Sequence, residues 1–130
     1  MIEWLRSRGV GDAELQEAIE RLAEAGALDD EHFAVRFAED KRALRDWGPE
    51  RIAEALRSRG VAEDVIIAAV GTEGADELAG RALVLLDKHG ASAADDESRA
   101  RALALLARRG YPLELAYDAV RALERRSEAA

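Results

Sequence analysis

The chain has 130 residues, 48% hydrophobic and 35% charged, with a net charge of −8 and no cysteine. Such a length and composition suit about one ordinary core-forming domain, and the lack of Cys excludes a disulfide scaffold, a thiolate metal site and a Cys nucleophile. The acid excess disfavours tight duplex-DNA binding driven by phosphate contacts, which requires a basic face. No apolar run approaches the roughly 20 residues of a membrane span. The start, Met1 to Arg6, lacks a signal-peptide pattern, so a cytoplasmic protein is expected.

In chain order the apolar spacing is helical throughout. Ala, Leu, Glu and Arg dominate, and strand signals are scarce. A first helix closes at Arg6-Ser7-Arg8-Gly9. A second spans about 12–25, with Asp12 as N-cap and Gly26 as its stop. A third covers about 30–46, with Asp29 as N-cap and Asp30 and Glu31 in a first turn that favours negative charge. Phe33, Phe37 and Leu44 share its apolar face. Trp47 precedes Gly48-Pro49, a helix start, and Ile52 and Leu56 mark the inner face of the helix that follows. Further helices are expected near 62–70, from Glu73 to Lys88 (with Leu78, Ala82, Leu85 and Leu86 on one face) and near 113–126. His89 falls at a helix C-terminus, and Pro112 suits a first helical turn.

The elements repeat. Leu5-Arg6-Ser7-Arg8-Gly9-Val10 recurs as Leu56-Arg57-Ser58-Arg59-Gly60-Val61 and, more loosely, as Leu106-Ala107-Arg108-Arg109-Gly110-Tyr111. Ala18-Ile19, Ala69-Val70 and Ala119-Val120 keep step. In each copy the arginines favour the negative end of the helix, and the glycine at C′ supplies the left-handed turn that stops it. The reading is all-α: tandem three-helix repeats of about 50 residues, forming an elongated curved array. It places repeat 1 at 1–47, N-terminally incomplete, repeat 2 at 48–91 and repeat 3 at 92–130, C-terminally incomplete.

No motif supports catalysis. Gly71-Thr72-Glu73-Gly74 lacks the Lys of a phosphate loop. Asp29, Asp30 and His32 read as a capped helix start rather than a metal site, and no cofactor is expected. Phe33 and Phe37 read as core; a base-stacking platform would need exposure. Trp4 and Trp47 are assigned to packing between units, with partner contact as the alternative. Charge is uneven: acids outnumber bases 22 to 12 over residues 1–96, and bases lead 7 to 5 over 97–130. Arg36, Lys41, Arg42, Arg45 and Arg51 form one basic stretch, and Arg108, Arg109, Arg121, Arg125 and Arg126 another. With Arg57 they are candidate partner-binding residues, set against the plainer reading of solvated faces with i,i+4 pairs to Glu.

Gly26-Ala27-Leu28-Asp29-Asp30-Glu31-His32-Phe33-Ala34, then Phe37, Gly48, Ile52, Leu56 and Gly60-Val61, and finally Leu105 to Tyr111, resemble the RecX family of RecA regulators in order along the chain. The resemblance implies structural roles for Leu28, Asp29, Asp30, Phe33, Ala34, Phe37, Gly48, Ile52, Leu56, Gly60 and Gly110. It also implies a non-enzymatic, monomeric protein that binds the groove of the RecA filament on single-stranded DNA. Such a protein mostly inhibits strand exchange, ATP turnover and repressor cleavage, and so touches homologous recombination, DNA repair and the SOS response. Against the family pattern, the chain begins inside the first helix, and its acidity shifts weight from direct DNA contact, possible but weak, to protein contact. The rival readings are a direct DNA-binding helical module and a generic helical-repeat scaffold.

Overall fold

The computed structural model describes residues 11–129, so Trp4 and the repeat copy at Leu5–Val10 lie outside the described residues. The described residues are helical with no strand: α1 (Asp12–Arg45), α2 (Pro49–Ser58), α3 (Glu63–Val70), α4 (Ala75–Lys88), α5 (Asp96–Arg108) and α6 (Leu113–Ala129). Two compact units divide the chain, residues 1–33 and 34–130.

The structure corrects the reading of the first forty residues. Instead of two helices split at Gly26, α1 runs unbroken from Asp12 to Arg45. Asp29 and Asp30 are therefore interior helical residues, not a cap and first turn. A lone interior Gly costs only about 1 kcal/mol relative to Ala. Here Gly26 is flanked by Ala, Glu and Leu, with no proline to force a break. Asp12, expected as the N-cap, is instead the first helical residue, and the Gly11 carbonyl accepts the first helical bond from the Leu15 N–H; the Asp12 charge is still favourable in this first turn. In the first unit Leu15 is buried, whereas Ile19, Leu22 and Leu28 are exposed.

Residues 34–130 hold two cores. One joins Ala34 and Ala38 of α1 to Ile52 and Leu56 of α2 and Ile66 and Ala69 of α3. The other joins Leu78, Ala82, Leu85 and Leu86 of α4 to Ala102 and Leu106 of α5, Tyr111, and Ala116, Ala119, Val120 and Leu123 of α6. Each fully buried Leu or Ile contributes roughly 1.5–3 kcal/mol. The helices thus group as α1 (its C-terminal part)–α2–α3 and α4–α5–α6. That differs from the division at 47/48 and 91/92, which separates α1 from α2 and α4 from α5. Gly60 and Gly110 lie inside each packed group, after its middle helix, and not at its edge.

The expected apolar face of α1 is also corrected. Phe33 is 41% and Leu44 77% exposed, while Ala34 and Ala38, one turn apart, are fully buried. The buried stripe of α1 is therefore alanine, and the larger residues fall beside it. Phe37 is half-buried at the edge of that core. On α4, by contrast, the four residues expected on one face are all buried.

Helix ends follow simple chemistry. After α2, Gly60 (φ +84°) lets its own N–H reach the Arg57 carbonyl and that of Val61 reach Leu56. After α5, Gly110 (φ +89°) repeats the arrangement with Ala107 and Leu106. Both are the left-handed stop expected from the sequence. Pro49 opens α2 at its first turn behind Gly48. His89 closes α4. Asp95 caps α5 by accepting from the Ser98 N–H at 2.7 Å. That hydrogen bond holds its carboxyl below the usual range.

Candidate functional site

The connection between α1 and α2 is densely hydrogen-bonded. Asp46 takes a left-handed backbone, φ 57°, which Asp tolerates better than most residues. With this turn the Trp47 N–H reaches the Lys41 carbonyl at 3.3 Å, closing α1 in the manner of a left-handed helix cap. The segment then meets the C-terminus of α5 head-on. Gly48 N–H donates to the Arg109 carbonyl at 2.6 Å, and Glu50 N–H donates to the Gly110 carbonyl at 3.0 Å. These are orphan donors of one helix start paired with orphan acceptors of another helix end, so the two dipole ends are complementary as well. The approach requires glycine on both sides. A Cβ on Gly48 would lie 2.5 Å from the Gly110 oxygen, and one on Gly110 would lie 2.3 Å from Arg51 Cβ.

Side chains complete the junction. Arg51 Nη1 donates to the Arg108 carbonyl at 3.0 Å, and Arg109 Nη1 donates to the Arg45 carbonyl at 2.9 Å. From α4, Arg81 Nη2 donates to the Trp47 carbonyl at 2.9 Å, and Arg81 Nη1 donates to the Tyr111 hydroxyl at 3.1 Å. That hydroxyl donates in turn to the Asp46 carbonyl at 3.1 Å. Lys88 Nζ lies 3.2 Å from the Asp46 carboxylate.

Beneath these contacts Glu73, with 8% of its side chain exposed, takes both Nε and Nη2 of Arg81, at 2.5 and 2.9 Å. Arg42 Nε lies 3.4 Å from the same carboxylate without hydrogen-bond alignment, while its Nη atoms donate to Thr72 Oγ1 and to the Ala69 and Val70 carbonyls. Burial is the largest single influence and works against the Arg81 charge, but the Glu73 hydrogen bond and the fields of Tyr111, Glu73 and Asp46 together outweigh it, and its pKa is raised.

Burial likewise pushes the Tyr111 hydroxyl up from its usual value. A raised folded-state pKa gives stability that is complete below the unfolded value of about 10 and fades as pH climbs through the folded one. Tyr111→Phe is expected to flatten the alkaline fall of the melting temperature above about pH 10, while costing about 1 kcal/mol at neutral pH for the lost hydrogen bonds. Thermal melts of both proteins across that range check it; parallel alkaline limbs would exclude the assignment.

The basic residues singled out in the sequence separate by their surroundings. Arg42 is turned inward. Arg57 forms a bidentate pair with Glu63 at 2.7 and 3.0 Å, Arg121 pairs with Asp118, and Arg126 lies 3.3 Å from Asp87. Arg51, Arg108 and Arg109 gather at the junction. Arg36, Arg45 and Arg125 are exposed, and no ion pair engages their side chains among the described residues. Lys41 Nζ sits 5.3 Å from the Phe37 ring and 4.9 Å from that of Trp47, Arg51 lies 4.5 Å over Trp47, and Arg59 lies 5.1 Å over Phe37. The two rings meet edge-on at 6.5 Å. Half-buried Trp47 thus serves packing between the helices while carrying cations on its ring. Sequence reasoning missed Glu73, Arg81 and Tyr111 as a linked set. The one available signal was Tyr111 itself, which replaces the Val10 and Val61 of the other repeat copies.

Around Trp47 the junction opens into a cleft of about 420 Å³ lined by Leu44, Arg45, Asp46, Trp47, Arg51, His89 and Arg109. Among the described residues no group of three or more His, Asp and Glu is placed to hold a metal ion, and no helix is long and apolar enough to cross a membrane.

The profile described as "RecX, second three-helix domain" matches residues 29–70, which cover the end of α1, α2 and α3. A "Regulatory protein RecX" of Thermus thermophilus is 33% identical over 118 residues, covering 91% of this chain and 76% of its own length. The chain belongs to the RecX family. The Thermobifida fusca protein of the same name is 36% identical over 120 residues, and the chain spans 65% of it. That of Streptomyces coelicolor is 33% identical over 133 residues, with 98% of this chain and 70% of that protein covered. The crystal structure of RecX from Lactobacillus salivarius superposes with a TM-score of 0.68 at 15% identity, covering 95% of this chain and 82% of that one. The helical fold is thus a RecX fold, and the relatives are named as regulators rather than enzymes.

Proposed function

We propose that this RecX-family chain regulates RecA by binding the RecA filament on single-stranded DNA. Bound in the filament groove, it hinders strand exchange, ATP turnover and repressor cleavage without catalysing a reaction. It works as a monomer in the cytoplasm and needs no cofactor. The observation that carries this reading is the similarity to proteins named regulators of this type over about nine-tenths of the chain. The division of the basic residues supports it. Arg36, Arg45 and Arg125 are exposed, with no carboxylate partner among the described residues, the state suited to bidentate contact with a partner's acids. Arg42, turned inward, belongs to the scaffold, and Arg57 is engaged at the surface by Glu63. The domain division proposed with it is a series of three-helix units of about 50 residues, the length range of stacked helical repeats.

Co-sedimentation with RecA filaments tests the proposal. The protein is expected to pellet with RecA on single-stranded DNA, and the double variant Arg36→Glu/Arg125→Glu to pellet less while melting like wild type. A protein that stays in the supernatant at excess RecA filament would refute it.

A further inference from the structure

The cleft around Trp47 gathers positive charge that the overall composition hides. In a chain of net charge −8, three guanidiniums (Arg45, Arg51, Arg109) and the imidazole of His89 line one opening, with Asp46 as the sole carboxylate among the lining residues. Asp46 is already neutralised by Lys88 at 3.2 Å. Arg51 and Arg109 each give one N–H to a backbone carbonyl and so are fixed in place, with further guanidinium donors remaining to each. The Arg45 side chain is exposed and unpaired among the described residues. The space they surround is about 420 Å³. Three anchored or available forks exceed what one carboxylate can satisfy. They match several linked anionic groups. Base stacking is not what the cleft offers, because Lys41 and Arg51 already lie over the Trp47 ring at 4.9 and 4.5 Å.

We infer that this cleft binds linked phosphates, gripping the anionic groups and leaving any base unread. The inference goes beyond the proposed action on RecA and is tested without RecA, so either can fail while the other stands. A free polyphosphate and a nucleic-acid backbone both present linked phosphates.

The probes are inorganic tripolyphosphate, labelled oligothymidylate and, as an acidic-protein mimic, polyglutamate, each titrated at low salt against the full chain. Oligothymidylate is expected to bind with marked salt dependence, with tripolyphosphate displacing it. Binding of oligothymidylate more tightly than tripolyphosphate assigns the backbone as the source, and the reverse order assigns free polyphosphate. Arg45→Glu, whose side chain has no ion pair to break among the described residues, should weaken binding about tenfold, equivalent to about 1.4 kcal/mol. Arg101→Glu, at an exposed position on α5 that does not line the cleft, should leave it unchanged. The inference is overturned if neither phosphate probe binds, if Arg45→Glu binds as wild type does, or if polyglutamate binds as tightly as the phosphates.

Discussion

Gly110→Ala is expected to lose about 3 kcal/mol of stability, while Gly60→Ala loses about 1 kcal/mol, although the two glycines occupy the same position in their repeats. Both adopt a left-handed backbone, at φ +89° and +84°, so both incur the cost of a Cβ there, offset in part by a stiffer unfolded chain. Only Gly110 also faces another backbone. Its added Cβ would fall 2.4 Å from Arg51 N and 2.9 Å from Arg51 Cα, whereas nothing lies within 4 Å of Gly60. Backbone atoms cannot swing aside as a flexible side chain can, so the α5 end must withdraw from the α2 start. The Gly48 and Glu50 donors then lose their carbonyl acceptors. Gly48→Ala should show the same loss of docking without the conformational cost, since its φ is −84°. Urea unfolding of the three variants checks this, and equal losses for Gly60→Ala and Gly110→Ala would show that the close approach does not exist.

Glu73→Gln is the other large effect, at about 3 kcal/mol destabilising. The carboxylate has 8% of its side chain exposed and answers Arg81, 23% exposed, and Arg42, 12% exposed. Neutralising it leaves two sheltered guanidiniums facing each other without their anion. Arg81 also holds the Trp47 carbonyl and the Tyr111 hydroxyl, so the loss should spread to the α1–α2 connection. Hydrogen exchange at the Gly48 and Glu50 amides would then accelerate more than exchange within α6. Breaking the Arg57–Glu63 pair with Glu63→Gln should leave stability near wild type. Both of its side chains are 56% exposed, and water screens such a pair. A Glu73→Gln protein as stable as Glu63→Gln would rule out a structural role for the buried pair.

Local chemistry was legible in the sequence, and non-local chemistry was not. Gly60 and Gly110 announce helix ends because a repeated glycine after basic residues has one favoured conformation. The Leu78, Ala82, Leu85 and Leu86 face follows from 3.6-residue spacing alone. The buried stripe of α1 escaped notice because Ala34 and Ala38 weigh little in any hydrophobic pattern, and Phe33 beside them weighs much. At Gly26 and Asp29 the stop and cap signals were genuine local preferences, overridden by the helix formers around them. The family, by contrast, was legible from motif order. Which arginines remain outward-facing was not: Arg42 and Arg45 are one turn apart, and only tertiary packing turns the first toward Glu73 and Ala69 and leaves the second at the rim of a cleft.

The proposed action on RecA is open to direct measurement. The most direct measurement is the steady-state ATPase rate of RecA on single-stranded DNA as the purified protein is added. The rate is expected to fall progressively with added protein, and to fall less with Arg36→Glu/Arg125→Glu. A rate unchanged at a molar excess of folded protein over RecA would contradict it.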